Sequence, residues 1–226
     1  MANLFVAGHE LSTMKSIGNV PPDNNGNVPL FISANNLLTN TANFGGNNWI
    51  NSIAGSPANI DSSKVTQKLD PNGNKTLLQN WNWSGYTQLL HLYQDDIVTF
   101  GVYVYINPTI DGYLDTYVSG AKSANDFTFI QKTINNIPQR DISIPLFSFK
   151  KGQVVNWSWV NYTFKIKHED DYYIRLETNT FTDIYIGSMI VVKSNACSNW
   201  MPSTKDIAMK SDLDALKAEI EQLKQK

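Results

Sequence analysis

The chain has 226 residues, 42% of them hydrophobic, 12% aromatic and only 17% charged, with a formal net charge of −2. That length suits one all-β domain with short additions, and the absence of any basic block excludes an electrostatic footprint for nucleic acid or an anionic membrane. A single cysteine, Cys197, excludes an intramolecular disulfide, and no stretch approaches the ~20 apolar residues of a membrane span.

Residues 1–28 are weakly patterned. Leu4, Phe5 and Val6 suit a short strand, and Gly18 to Gly26 is dense in turn formers, so this part reads as an arm. The first ten residues lack the basic start and the apolar length of a secretion signal. Val28 to Ile32 is a short strand candidate. Residues 50–75 are polar and predict one short strand and long loops. Thr76 to Gln79 and Tyr86 to Leu92 read as strands flanking Trp81-Asn-Trp83-Ser-Gly85, and Gln94-Asp-Asp96 as a tight turn. Ile97 to Ile106 gives the strongest strand signal, with Val98, Phe100, Val102, Val104 and Ile106 on one face and Tyr103 and Tyr105 on the other. Leu114 to Val118, Phe127 to Ile134 and Ile142 to Phe149 follow.

Three alternating runs close the domain. Tyr162, Phe164 and Ile166 share a face of the first, and Ile174 and Leu176 a face of the second. In the third, strict alternation puts Ile184, Ile186, Ser188, Ile190 and Val192 together. Sheets that bury one face must stack on another, so the expectation is an all-β sandwich. From Ser211 the pattern changes to a helix, with Leu213, Leu216, Ile220 and Leu223 at 3, 4, 3 spacing. That is a seam for a coiled coil, read as a homotrimer. The division expected is an arm (1–28), a sandwich (29–205) and an oligomerising helix (206–226).

Asn36-Leu-Leu-Thr-Asn40 with Phe44 and Trp49, then Val98-Thr-Phe-Gly-Val-Tyr103, then Trp159 leading Tyr162-Thr-Phe164, stand in the order found in the jelly-roll carbohydrate-binding modules of the family 4/9/22 type, which residues 35–205 resemble. The resemblance implies a jelly-roll β-sandwich and carbohydrate binding without catalysis. In the family a Glu follows the Phe and can help hold a structural calcium. Gly45 stands there, which weakens a calcium assignment, and no metal or other cofactor is expected. The order of sandwich, Trp200-Met-Pro-Ser-x-x-Asp206 and heptad helix resembles tail and baseplate proteins of phages that infect Gram-positive bacteria. It implies a virion protein, released by host lysis, whose partners are a host cell-wall saccharide and other tail or baseplate proteins. A composition typical of exterior β proteins, without an export signal, agrees with that.

Chemistry points the same way. His9, His91 and His168 have no Cys or His at zinc-ligand spacing, and neither Gly-x-Ser-x-Gly nor a phosphate-cradling loop is present. Asp95-Asp96 and Glu169-Asp-Asp171 fall in polar breaks and read as solvated turns, so no enzyme is expected. Sugar rings stack on aromatic faces and bond to amides and carboxylates. Trp81, Trp83 and Tyr86, in or beside a loop, and Tyr103 and Tyr105, opposite the apolar face of the main strand, are the candidate saccharide contacts. Trp49 and Trp159 read as packing residues, Trp157 shares a strand face with Trp159, and neither Asp95 nor Asn161 stands out. A virion assembly subunit that binds no sugar is the alternative, because aromatic residues also suit protein interfaces. A module detached from a glycoside hydrolase ranks last.

Overall fold

The computed structural model describes residues 5–6, 9–10, 36–44, 49–53, 56–59, 62–120, 127–139, 147–195, 200–201, 203 and 220. Two compact units divide the chain. In the first, Met1–Ala34, β1 (Phe5–Val6) pairs with β2 (His9–Glu10). The second, Asn35–Lys226, carries β3 (Ile50–Ile53), β4 (Ser56–Asn59), β5 (Val65–Leu69), β6 (Lys75–Gln79), β7 (Ser84–Thr87), β8 (Leu89–Leu92), β9 (Ile97–Asn107) and β10 (Gly112–Gly120). It continues with β11 (Phe127–Ile134), β12 (Ile137–Pro138), β13 (Phe147–Phe149), β14 (Val155–Ile166), β15 (Asp170–Thr178) and β16 (Asp183–Val192).

One sheet has seven strands in the order β12-β11-β14-β9-β16-β6-β5, and the other has four, β13-β10-β15-β8. From β8 onward successive strands alternate between the two sheets, apart from the short hairpin strand β12 that stays beside β11, which is the crossing connectivity of a jelly-roll sandwich. A three-stranded sheet, β4-β3-β7, lies beside the four-stranded one. The Trp83 amide donates to the Thr178 carbonyl at 2.8 Å, and the Thr87 hydroxyl bonds to both backbone groups of Ile174. Gly85 permits this approach of β7 to β15, since a Cβ there would strike the Leu176 carbonyl and the Arg175 side chain.

The alternation of β9 becomes the centre of the core: Val98, Phe100, Val102, Val104 and Ile106 are no more than 1% exposed. At ~2 kcal/mol for each large apolar side chain removed from water, this one face contributes on the order of 10 kcal/mol, an upper figure because unfolded chains are partly compact. Tyr162, Phe164 and Ile166 of β14 and Tyr172, Ile174 and Leu176 of β15 join the same cluster.

Strict alternation fails in β16. Ser188 has a φ of +47°, and the register with β9 shifts between Gly187 and Ile190. This β-bulge places two residues against one and reverses the faces beyond it. Ile184 and Ile186 point into the core as expected, but Met189 and Val191 follow them there, and Ile190 and Val192 do not. The bulge is held from outside. The Asp70 carboxylate accepts the Ser188 hydroxyl at 2.5 Å, and the Asn72 and Asn74 amides donate to the same hydroxyl oxygen. Gly187 leaves room for Asp70, whose Oδ2 would lie 2.5 Å from any Cβ there.

Other boundaries move as well. The run Tyr86 to Leu92 is split into β7 and β8. The polar stretch 50–75 holds three strands, β3 to β5, rather than one. Only Phe147–Phe149 of the run from Ile142 is strand among the described residues, and Val28 to Ile32 lies outside them. So do Leu213, Leu216 and Leu223, while Ile220 is 44% exposed. Apart from a 3-10 turn at Ser62–Lys64, no helical element is defined among the described residues, so the coiled-coil seam finds no support there.

Asn36 opens the second unit as a buried clamp. Its Oδ1 accepts the amides of Leu38 and Val191, each at 3.1 Å, and its Nδ2 donates to the carbonyls of Met189 and Met201, each at 3.1 Å. One side chain thus ties the start of the domain, the last strand and the segment at Met201. Phe44 and Trp49, the next motif residues, are edge-on at 5.0 Å inside the core. Asn36→Ala strands several buried polar groups, each worth ~1–3 kcal/mol when unpaired. The expected loss is roughly 2–4 kcal/mol in urea unfolding with an unchanged m-value. Asn36→Asp, which keeps the acceptor and loses the donor, should fall between Asn36→Ala and the parent.

Candidate functional site

The outward face of the four-stranded sheet carries the groups that burial alone does not explain. β10 and β15 pair so that Asp115 faces Glu177, Tyr117 faces Arg175 and Ser119 faces Tyr173. Between these, Leu114, Val118, Ile174 and Leu176 point into the core, so the three facing pairs point away from it. Yet Asp115, Arg175 and Glu177 are only 8%, 4% and 6% exposed. Charged residues are rarely so enclosed unless paired, because desolvating an ion is expensive.

Part of the set is paired. Arg175 reaches Oε2 of Glu177 through Nε at 3.2 Å and a terminal nitrogen at 2.9 Å, and its guanidinium lies 4.2 Å from the centroid of Tyr117. Both bonds to Glu177 end on Oε2, so Oε1 has no partner among the described residues. Asp115 accepts the Thr116 amide on Oδ1 at 2.7 Å, and its Oδ2 likewise has no partner among them. Burial, reinforced by the Glu177 charge, raises the Asp115 pKa from 3.8 to about 6, against opposing pulls from the Thr116 amide and from Lys132. Two carboxylates on register partners, one of them paired with an arginine, therefore stand side by side on the outward face of the sheet.

Aromatic rings frame that space. Trp83, 43% exposed, lies edge-on to Tyr113 at 6.3 Å. Its φ is +51°, a left-handed conformation unfavourable for a bulky residue. It is held by the amide bond to Thr178 and by Arg175, which donates to the Trp83 carbonyl at 3.5 Å. Strain of this sort persists where the surroundings impose it and clusters at ligand sites. Farther along β15, Tyr173 faces outward beside the exposed Leu89. The far end carries His91, bonded to Asp171 at 2.9 Å and Glu169 at 3.3 Å. The Asp171 hydrogen bond, followed by the one from Glu169, raises the His91 pKa against a desolvation pull the other way. Asp171 to Glu177 is about 20 Å of strand, so these groups form a strip along the outward face of the sheet, the candidate groove of this domain.

Of the five residues picked from the sequence, only Trp83 stands on this groove. Trp81, 57% exposed, projects from the same loop onto Phe181 at 5.7 Å, at the sandwich end. Tyr86 is 3% exposed and packs in the core, with its hydroxyl bonded to the Leu78 carbonyl at 2.6 Å; it presents no surface to a ligand. Tyr103 and Tyr105 lie on the outward face of the seven-stranded sheet, across the molecule. Trp159 is buried there against Tyr103 at 4.9 Å, and Trp49 is buried in the core. Asp95 forms an ion pair with Lys165 at 2.7 Å. Sequence reasoning missed Asp115, Tyr117, Arg175 and Glu177. A signal was present in Tyr172-Tyr-Ile-Arg-Leu-Glu177, where charges alternate with core residues. Among the described residues no cluster of three or more His, Cys, Asp or Glu could hold a metal ion.

No protein-family model matches the sequence, and no curated protein matches it. Solved structures give distant likenesses. A xylan-binding domain of carbohydrate-binding module family 22 is 14% identical with a TM-score of 0.48, covering 73% of this chain and 99% of its own. The C-terminal family 22 module of Clostridium thermocellum Xyn10B is 15% identical with a TM-score of 0.47, covering 78% and 99%. A two-module structure of the same xylanase, CBM22-1 with its GH10 module in complex with xylohexaose, is 11% identical with a TM-score of 0.44; 72% of this chain is covered, and the chain spans 29% of that one. At such identities no residue corresponds reliably to another, so the functional reading rests on this chain's own side chains.

The electrostatics give a test. Because the folded pKa of Asp115 is raised, the fold favours its protonated form, and stability falls as pH rises from about 4 to about 6. Asp115→Asn removes the charge and keeps the shape. The variant should melt higher than the parent at pH 7.5, with the difference closing by about pH 4, in thermal melts over that range.

Proposed function

We propose that the second unit is a non-catalytic saccharide-binding domain and that the groove along β10 and β15 is its site. The observation that carries this is the pair of enclosed carboxylates, Asp115 and Glu177, each with an oxygen unpartnered among the described residues and set beside the rings of Trp83, Tyr113 and Tyr117. Sugar hydroxyls donate to such oxygens, the Arg175 fork positions one of them, and the C–H face of a pyranose stacks on an indole or phenol. Carboxylates outnumber cations along this face (Asp115, Glu177, Asp171 and Glu169 against Arg175 and His91), which disfavours an acidic ligand and suits a neutral one. Catalysis is disfavoured by placement. Glycoside hydrolysis needs two carboxyl groups flanking the scissile bond, whereas these lie side by side on one face of one sheet.

The wider setting we propose is adhesion of a phage tail or baseplate protein to a host cell-wall saccharide, with the domain displayed as a homotrimer so that modest single-site affinities combine. The sequence order of sandwich, Trp200–Asp206 segment and heptad helix supports it. The xylan named for the structural neighbours supplies one probe among several. A second reading, an assembly subunit, is favoured by a different feature. Trp81 and Phe181, 57% and 58% exposed, form an apolar tip suited to a protein partner.

The test is a glycan array of neutral plant and bacterial cell-wall oligosaccharides, followed by calorimetry on any binder and by binding of labelled protein to Gram-positive cells. Trp83→Ala should weaken saccharide binding about five- to tenfold, since a ring contact is worth ~1 kcal/mol, while leaving the fold intact. Trp81→Ala should matter less. Folded protein that binds no oligosaccharide and no cell, or binding indifferent to Trp83→Ala, would overturn the assignment.

A further inference from the structure

The seven-stranded sheet also has an outward face, and it too is aromatic. Tyr105 of β9 meets Trp157 of β14 at 5.6 Å and Tyr185 of β16 at 5.9 Å, inclined to them by 51° and 70°. All three rings are half-buried. Lys68, on β5, reaches over this cluster: its ammonium is 3.8 Å from the Tyr105 centroid, 5.1 Å from Tyr185 and 5.9 Å from Trp157.

Lys68 differs from the ion-paired lysines in having rings for partners. The other described lysines in ion pairs, Lys150, Lys165 and Lys193, each face an aspartate. Among the described residues the Lys68 ammonium meets no carboxylate and no hydrogen-bond acceptor, only rings. Asp183, on the same face two residues before Tyr185, forms no ion pair with it. Asp70 is turned inward and occupied by the Ser188 hydroxyl and the amides of Asn72 and Asn74. A ring cluster holds a cation by its quadrupole but accepts none of its N–H bonds. Lys68 thus presents a positioned, uncompensated charge flanked by the half-exposed faces of Trp157 and Tyr185.

We propose that this face is a second binding site, separate from the groove on the opposite sheet, and that it takes an acidic saccharide. A uronic acid residue would stack on Trp157 or Tyr185 and set its carboxylate against the Lys68 ammonium, supplying the acceptors the rings cannot. The two faces then differ in what meets the ligand: enclosed carboxylates on the groove side, a ring-held ammonium here. The proposal stands independently of the groove assignment.

The test is calorimetric titration with oligogalacturonate, with the neutral oligosaccharide of the same backbone, and with poly(glycerol phosphate), which carries charge but no ring face. The expected result is binding of oligogalacturonate that weakens with added salt. It should fall about tenfold in Lys68→Gln and be retained in Lys68→Arg. Lys68→Gln removes a side chain from the surface of an edge strand, and a melt identical to the parent's would confirm that folding is not the cause. Absence of oligogalacturonate binding by folded protein, equal binding of the neutral oligomer or of poly(glycerol phosphate), or indifference to Lys68→Gln would each overturn the proposal.

Discussion

A strand has two faces, and in a two-layer sandwich only one of them can enter the core. The rest of this structure depends on that constraint. Because the strands from β8 onward are shared between two stacked sheets, each layer offers its apolar residues inward and turns the alternate set out. The core therefore closes with Val, Ile, Leu, Phe and Tyr from β9, β14, β15 and β16. What remains on the outward faces is not needed to close this core, although some of it, such as Trp159 and Ile190 over Gly101, is packed there. Function is best sought where an outward residue is nonetheless enclosed, since enclosure there is not a by-product of the core.

By that criterion the two sheets differ. On the four-stranded sheet the outward set is charged and enclosed, with a pKa displacement at Asp115 caused first by burial. A buried carboxylate that stability would replace with a neutral residue needs another reason to be there, and hydrogen bonding to a polyhydroxyl ligand supplies one. On the seven-stranded sheet the outward set is aromatic with one ring-held ammonium. The same architecture thus presents two chemically different surfaces. Asn36, clamping the first and last segments of the domain, and the Asp70–Ser188 contact, fixing the bulge, keep both surfaces in register with the core.

Much of this was readable from the sequence, and the failures have physical causes. The central strand, the sandwich and most late strands follow from period-two alternation, which a half-buried sheet enforces. The Asn36, Phe44 and Trp49 motif proves to be structural: an amide clamp and a ring pair in the core. Alternation misplaced Ile190 and Val192 because a bulge inserts one residue, and a serine at positive φ is not signalled locally. Tyr86 was misread because its hydroxyl finds a backbone carbonyl inside the fold, a long-range contact. Arg175 and Glu177 were passed over because charges alternating with core residues resemble any solvated sheet face. Only the pairing of β15 with β10 brings Asp115 beside Glu177, and pairing partners are not written in either strand.

The most direct test of the account is where a neutral oligosaccharide binds, read by amide and indole chemical-shift changes in an NMR titration of the labelled chain. The account predicts that the shifts cluster on Asp115, Tyr117, Arg175 and Glu177 and on the Trp83 indole, leaving Tyr105, Trp157 and Tyr185 unmoved. Shifts confined to the seven-stranded sheet, or scattered over the sandwich without the β10–β15 groove, would contradict it.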